Sequence, residues 1–395
     1  MSSTSSSFSV PIPAEYQQDL DDEEILASLG QYAPVTSERN VWAFWDKGVA
    51  VMPGWCKRNV TNWVRILGPS WTVRVLDMVS DSPNHTLKYL PADFLPETFV
   101  HGTMDGPYVG PHSADFIRGA ALYLHGGVFM DVGIMLIRHL DRVCWDALAD
   151  EASPLRVSVP LTYGQIIANH FVAARKGDPY IKRWHDLFLH VWHGRTNYRG
   201  IIKHPVLQFA LTTSSFDESK EASFNWNFKV DPETVFEYIA QVVCRTRLTH
   251  LDDAGDGFSC ADYWEKKVLT FRAVDENWGA ESMVGFEGPK LRDLLALRLD
   301  SEPSTPEYAK ASNLVWRLLT RSSMQKVSHG KGLTSDVMLG ALWDMPENET
   351  ADCAPGTFAW LLRQGPLCLR QTRAAVQIVP APPVKERWRK GVLEP

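Results

Sequence analysis

Two carboxylates and one guanidinium lie close together in the stretch Asp115-x-x-Arg118 … Gly126-Gly127-x-x-x-Asp131. Asp115 and Arg118 are three residues apart, so on a helix they share one face. Asp131 directly follows the apolar run Val128-Phe129-Met130. An acidic residue at the end of a strand sits at the carboxyl edge of a sheet, where α/β proteins bind their ligands. A carboxylate there suits a divalent cation that clamps a diphosphate, because hard cations take oxygen ligands and leave positions open for phosphate. The bland alternative is a surface ion pair followed by an ordinary turn. The double glycine permits a tight passage from helix to strand.

These residues need a sheet with helices around it, and the neighbouring pattern supplies one. Val41-Trp42-Ala43-Phe44-Trp45 reads as a buried strand. Pro53 opens a helix through Ile66 with Trp55, Val60, Trp63 and Val64 on one stripe, and Gly68 stops it. Trp71 to Asp77 reads as a second strand, so residues 41–77 carry a strand–helix–strand order that belongs to a parallel α/β sheet. Residues 102–111, rich in Gly and Pro, read as a loop. Ser113 is placed to cap the next helix, with Phe116, Ile117, Ala120, Ala121 and Leu124 on its apolar face. Arg156 to Pro160 reads as a strand, and residues 165–174 fit strand or helix. Asp178-Pro179 opens an amphipathic helix, and residues 232–246 and 307–320 read as two more. Residues 1–13 are expected to be disordered and 14–30 to hold a short acidic surface helix ending at Gly30. The expected organisation is an N-terminal segment over 1–35, a catalytic domain over 36–345, and a C-terminal extension over 346–395 with a partly disordered tail.

Composition narrows the chemistry. Lys and Arg total 40 against 47 Asp and Glu, a net charge of −7. That balance argues against nucleic acid or an anionic membrane as partner, both of which need a concentrated basic face. The six Cys contain no CxxC pair, so they suggest neither a zinc knuckle nor a disulfide scaffold. The N-terminal Ser/Thr run has no basic or apolar signal-peptide region, and no run of about 18 apolar residues occurs. A cytoplasmic location without a membrane span is expected. Of the 15 Trp, Trp63, Trp184 and Trp192 fall on helix faces and are assigned to the core. Trp42 and Trp45 point to different sides of the first strand. Trp278, in Asn277-Trp278-Gly279, is a candidate for stacking on an acceptor. His170 and His185 are assigned to packing or surface roles, and Asp252-Asp253 with Asp256 to a solvated loop that could lend a metal ligand. Gly-x-Ser-x-Gly, HExxH and P-loop motifs are absent.

The stretch "SADFIRGAALYLHGGVFMDVGIMLIRHL" resembles the core motif of the capsular polysaccharide synthesis family, related to the fold-A glycosyltransferases with a DXD motif. The opening "VWAFWDKGVAVMPGWCKRNVTNWVRILGPSWTVRVLD" and the later "IIANHFVAARKGDPYIKRWHDLFLHVW" resemble further segments of that family. The likeness covers roughly residues 40–195 and, more weakly, "SHGKGLT" at 328–334. It implies a GT-A-like fold, an α/β domain with a Rossmann-type, mostly parallel sheet and a helical C-terminal part. It also implies a glycosyltransferase that takes a nucleotide-sugar donor and a soluble acceptor, such as a secondary metabolite or a glycan. Carried over by position, Asp131 faces metal and diphosphate, while Asp115 and Arg118 contact the donor. Trp45 lies near the base and Asn169 near a sugar. His329 and Lys331 meet the diphosphate from the C-terminal side.

One departure stands out. The motif reads Asp131-Val132-Gly133, without its second carboxylate. Three readings follow. Mn²⁺ or Mg²⁺ is held by Asp131 with phosphates and water, or Arg118, His329 and Lys331 replace the metal. The third is a scaffold recruited to another reaction, as in a cyclodipeptide synthase-like natural-product enzyme. A non-catalytic binding module ranks last, since Asp115, Arg118 and Asp131 are all present.

Overall fold

The computed structural model describes residues 9–14, 17, 20–164, 166–213, 226–373, 375–381, 383–384 and 386–395. The expected disorder of residues 1–8, the start of the acidic run at Asp19 and the position of Gln165 lie outside these residues. The strands are β1 (Ser9–Pro11), β2 (Asn40–Phe44), β3 (Thr72–Leu76), β4 (Gly127–Met130), β5 (Ile134–Leu136), β6 (Val157–Thr162), β7 (Ile166–Ile167), β8 (Phe171–Ala174), β9 (Val268–Arg272), β10 (Met324–Lys326) and β11 (Leu369–Gln371).

The central sheet has seven strands in the order β3-β2-β4-β8-β6, with β9 and the short β7 both pairing with β6. β2 pairs in parallel with β3 and β4, and β6 with β9. β8 runs antiparallel to both β4 and β6, and β7 runs antiparallel to β6. Strands β2, β3, β4, β6 and β9 therefore share one direction, which makes the sheet mostly parallel, with β8 inserted against the grain.

The strand residues explain why both faces are covered. Val41, Ala43, Val128, Met130, Phe171 and Ala173 belong to one buried cluster. Their alternating neighbours Trp42, Phe44, Phe129, Val172 and Ala174 belong to another. This two-residue alternation between two apolar layers is what a strand buried on both sides requires. The helix Gly54–Leu67 closes the first layer with Trp55, Val60 and Trp63. The helix Val109–His125 closes the second with Phe116, Ile117, Ala120 and Ala121, backed by the helix Pro179–Trp192. Trp63, Trp184 and Trp192 are core residues, and Trp42 and Trp45 do separate to opposite layers.

Several local expectations need correction. The helix expected to begin at Ser113 starts a turn earlier, at Val109. Gly110 and Pro111 are compatible with a first turn, because the N–H groups there have no intrahelical partner. Ser113 is thus inside the helix, its hydroxyl against Met104 Sδ at 3.6 Å. The helix expected over 232–246 is two pieces, Pro232–Tyr238 and Ala240–His250, joined at Ile239. The ambiguous segment at 165–174 contains β7 and β8. Near the N-terminus, Ser9–Pro11 is a strand paired with Leu369–Gln371, where disorder was expected. The acidic helix runs over Asp22–Leu29, capped by Asp21 and Glu24 in a reciprocal box. Residues on both sides of 346 share an apolar cluster, with Phe358 and Leu362 packing alongside Trp63 and Leu314.

Gly126-Gly127 makes a strict steric demand at the passage from helix to strand. Both have positive φ, 70° and 108°. A Cβ on Gly127 would sit 2.3 Å from the Asn40 carbonyl oxygen on neighbouring β2. Gly200 also has positive φ, but a Cβ there meets nothing within 4 Å. Gly200→Ala should therefore cost only the left-handed backbone penalty of about 1–2 kcal/mol. Gly127→Ala adds a backbone clash and should cost about 3 kcal/mol or more. Chemical denaturation of the two variants checks this, and equal losses would remove the clash from the account.

Candidate active site

The strand β4 delivers Asp131 to the carboxyl edge of the sheet, beside the end of β2 that carries Trp45. A cleft of about 720 Å³ opens there. It is lined by Trp45, Asp115, Arg118, Asp131, Asn169, Trp278, His329 and Lys331, so all the residues expected to meet donor or acceptor border one cavity.

At its floor lies a network of buried charges. Arg118 Nη1 donates to Asp115 Oδ1 and, at 2.5 Å, to Gln241 Oε1. Asn169 Nδ2 donates to the same two acceptors at 3.2 and 3.1 Å. Gln241 Nε2 returns a bond to the Asp115 carbonyl at 2.5 Å. Arg118 Nη2 lies 3.4 Å from Asp131 Oδ1, and the guanidinium carbon stands 4.5 Å from the centre of the Phe129 ring. Buried charges persist only when paired and hydrogen-bonded in this way. Asp115 and Arg118 are thus an i,i+3 pair as their spacing implied, but a buried one inside the cleft.

Asp131 is the carboxylate that faces the open space, with 30% of its side chain exposed. Its second oxygen, Oδ2, receives Lys326 Nζ at 3.0 Å. Burial pushes its pKa up, but Lys326, Arg118 and His170 outweigh that and hold it below the usual carboxylate range. Lys326 arrives from the far end of the chain because β10 pairs antiparallel with β5, with Lys326 opposite Ile134. Sequence reasoning missed Lys326 and Gln241. Lys326 lies two residues before the "SHGKGLT" segment, and Gln241 sits in a helix whose period gave no hint of a polar partner.

The other expected residues have distinct settings. Trp45 borders the cleft with its indole Nε1 buried and without a hydrogen-bond partner among the described residues. Trp278 is only 2% exposed, at the N-terminus of the short helix Gly279–Val284, and borders the cleft with Trp226 edge-on to it at 5.1 Å. His329 Nε2 lies 3.2 Å from Thr334 Oγ1, and its Nδ1 lies 3.0 Å from the Gly330 carbonyl oxygen. Burial lowers its pKa to about 4, so it is neutral at pH 7 and is not the cation that was expected. Lys331 is at the rim, 76% exposed and 2.8 Å from Asp344. Asp252, Asp253 and Asp256 lie outside the cleft, and Asp256 pairs with Arg183 at 2.8 Å, so this loop lends no metal ligand.

His170 is buried beside the network, its Nε2 3.1 Å from Asn277 Nδ2. Burial, with Lys326 nearby, lowers its pKa to about 3. An unfolded histidine takes up a proton near pH 6.5 whereas the folded one does not, so acid favours unfolding across that interval. Between pH 6.5 and 5, the wild type should lose about 1.6 kcal/mol in all more than His170→Gln does. Urea unfolding of both at several pH values measures this, and parallel curves would mean that folding does not lower the His170 pKa.

No family model matches the chain. Relatives with assigned activities cover almost all of it. A "probable glycosyltransferase FCK3" of Fusarium pseudograminearum is 50% identical over 394 residues, 97% of this chain and 99% of its own. A "glycosyltransferase afumC" of Aspergillus fumigatus is 40% identical, spanning 95% of this chain and 96% of its own. An "O-glycosyltransferase braB" of Annulohypoxylon truncatum is 37% identical, spanning 97% and 92%. With this likeness spanning almost the whole of each chain, the chain belongs to this family of glycosyltransferases.

Proposed function

We propose that the enzyme transfers a sugar from a nucleotide-sugar donor to a hydroxyl group of a small, largely apolar acceptor, on a GT-A-like scaffold. The observation that carries this reading is the convergence of Asp115, Arg118, Asp131 and Asn169 with Lys326 on one cleft at the carboxyl edge of the sheet. That edge is where such folds present activated substrates. The pattern around Asp131 that resembles the fold-A transferases supports the finer assignment. The naming of two relatives as O-glycosyltransferases supports a hydroxyl acceptor.

The cleft lining offers two kinds of chemistry. Trp45 stands at the β2 end and offers an aromatic edge to a nucleotide base. Asp115 and Asn169 present oxygen and amide groups of the kind that bind sugar hydroxyls. Tyr108, Trp226, Phe228, Tyr238, Leu333 and Met338 also line the cleft and give it a predominantly aromatic and aliphatic portion. Such a lining suits a compact apolar acceptor rather than a polysaccharide. The chemistry then rests on holding donor and acceptor in line and on stabilising the departing diphosphate. The full-length family likeness does not favour the reading as an enzyme of another reaction class.

Release of nucleoside diphosphate from a panel of UDP- and GDP-sugars tests this, with apolar phenols and alcohols as acceptors. Asp131→Asn and Arg118→Ala should each lower kcat/KM by about 100-fold or more, the scale of a lost transition-state contact. Undiminished turnover in both variants would place the chemistry elsewhere.

A further inference from the structure

A carboxylate pair at positions 131 and 133 would be the ordinary means of holding a divalent cation against a diphosphate. Here the second position is Gly133, and its side-chain space is already taken. A Cβ on Gly133 would lie 2.2 Å from Ser328 Oγ and 3.1 Å from Lys326 Nζ. Gly133 is not among the glycines with positive φ, so space rather than backbone conformation calls for glycine there. Both oxygens of Asp131 are engaged by cations, Oδ1 by Arg118 at 3.4 Å and Oδ2 by Lys326 at 3.0 Å. Among the described residues no group of three or more His, Cys, Asp or Glu side chains is placed to hold a metal ion. A divalent ion at Asp131 would have one carboxylate ligand and an ammonium for a neighbour. This donor set does not fit Mn²⁺ or Mg²⁺.

We propose that Lys326 is the built-in cation of the donor site, standing where a second carboxylate and its metal would otherwise be, and that sugar transfer proceeds without a divalent ion. This rests on the nucleotide-sugar reading above. An ammonium has three N–H donors. Asp131 Oδ2 takes one and Ser328 Oγ, at 3.3 Å, a second, which leaves one for a phosphate oxygen. Lys326 borders the cleft, yet its side chain is only 7% exposed. A charge so shielded from water acts on a nearby anion more strongly than a solvated one. Its position is fixed from behind. The Lys326 N–H donates to the Asn277 carbonyl at 2.7 Å, and the Val327 N–H to the Gly133 carbonyl at 3.1 Å.

The reaction balances without a metal. The bond from the anomeric carbon to the β-phosphate oxygen breaks, and its electron pair stays on the diphosphate. The acceptor oxygen bonds the anomeric carbon and releases its proton to solvent. The products are a glycoside, a nucleoside diphosphate and a proton. Lys326 meets the charge that grows on the leaving oxygen, and Asp131 keeps the ammonium aimed.

Calorimetric titration of the full chain with UDP and with GDP tests this, first in EDTA and then in Mn²⁺ or Mg²⁺. The expected result is binding in EDTA within about twofold of that with metal, and a loss of about tenfold or more in Lys326→Met. Circular dichroism checks that this variant is folded. Should it not fold, the wild-type comparison decides alone. Binding that tightens tenfold or more on adding metal would overturn the inference and leave the glycosyltransferase reading intact. Absence of binding by either nucleotide in every condition would overturn both.

Discussion

The site depends on one carboxylate held between two cations. Asp131 faces the cleft with Lys326 on one oxygen and Arg118 on the other. Each partner is committed elsewhere as well, Arg118 to Asp115 and Gln241, Lys326 to Ser328. Removing any one charge leaves a buried neighbour uncompensated, a change that costs about 3–5 kcal/mol in protein interiors. The network therefore fixes the shape of the cleft floor as well as its charge.

Much of the fold serves to bring those three residues together from distant parts of the chain. The helix Val109–His125 supplies Asp115 and Arg118, and the double glycine turns it directly into β4 and Asp131. Close approach of Gly127 to β2 lets the start of β4 lie against its neighbour, four residues before Asp131. Lys326 comes about 200 residues later, through a two-strand pairing whose register puts it opposite Ile134. That pairing is steadied by the C-terminal helices, which pack into the same apolar layer as the helix Gly54–Leu67. The C-terminal third of the chain is thus part of the active site's construction.

The N-terminal half was the more legible in the sequence, for a physical reason. Its signals are local: a buried apolar run, a helical stripe ending at Gly68, a double glycine before an acidic residue. Asp115, Arg118 and Asp131 sit within one such run of signals. Lys326 and Gln241 do not, because their importance comes from pairing across the fold, and a lone Lys or Gln carries no periodicity. The same reason explains His329 and Trp278. The first was singled out by the motif and the second by its loop-like setting, but burial makes His329 neutral and leaves Trp278 2% exposed, edge-on to Trp226. The early start at Val109 was hidden because Gly-Pro reads as a loop unless it falls in a helix's first turn.

The central claim is that the charged cleft floor receives the donor's diphosphate. A crystal structure of the full chain with a nucleoside diphosphate, grown in EDTA, tests it most directly. The account predicts a β-phosphate oxygen about 3 Å from Lys326 Nζ, with the base toward Trp45. A diphosphate bound away from Lys326 and Arg118, or density for a cation between it and Asp131 once metal is supplied, would contradict it.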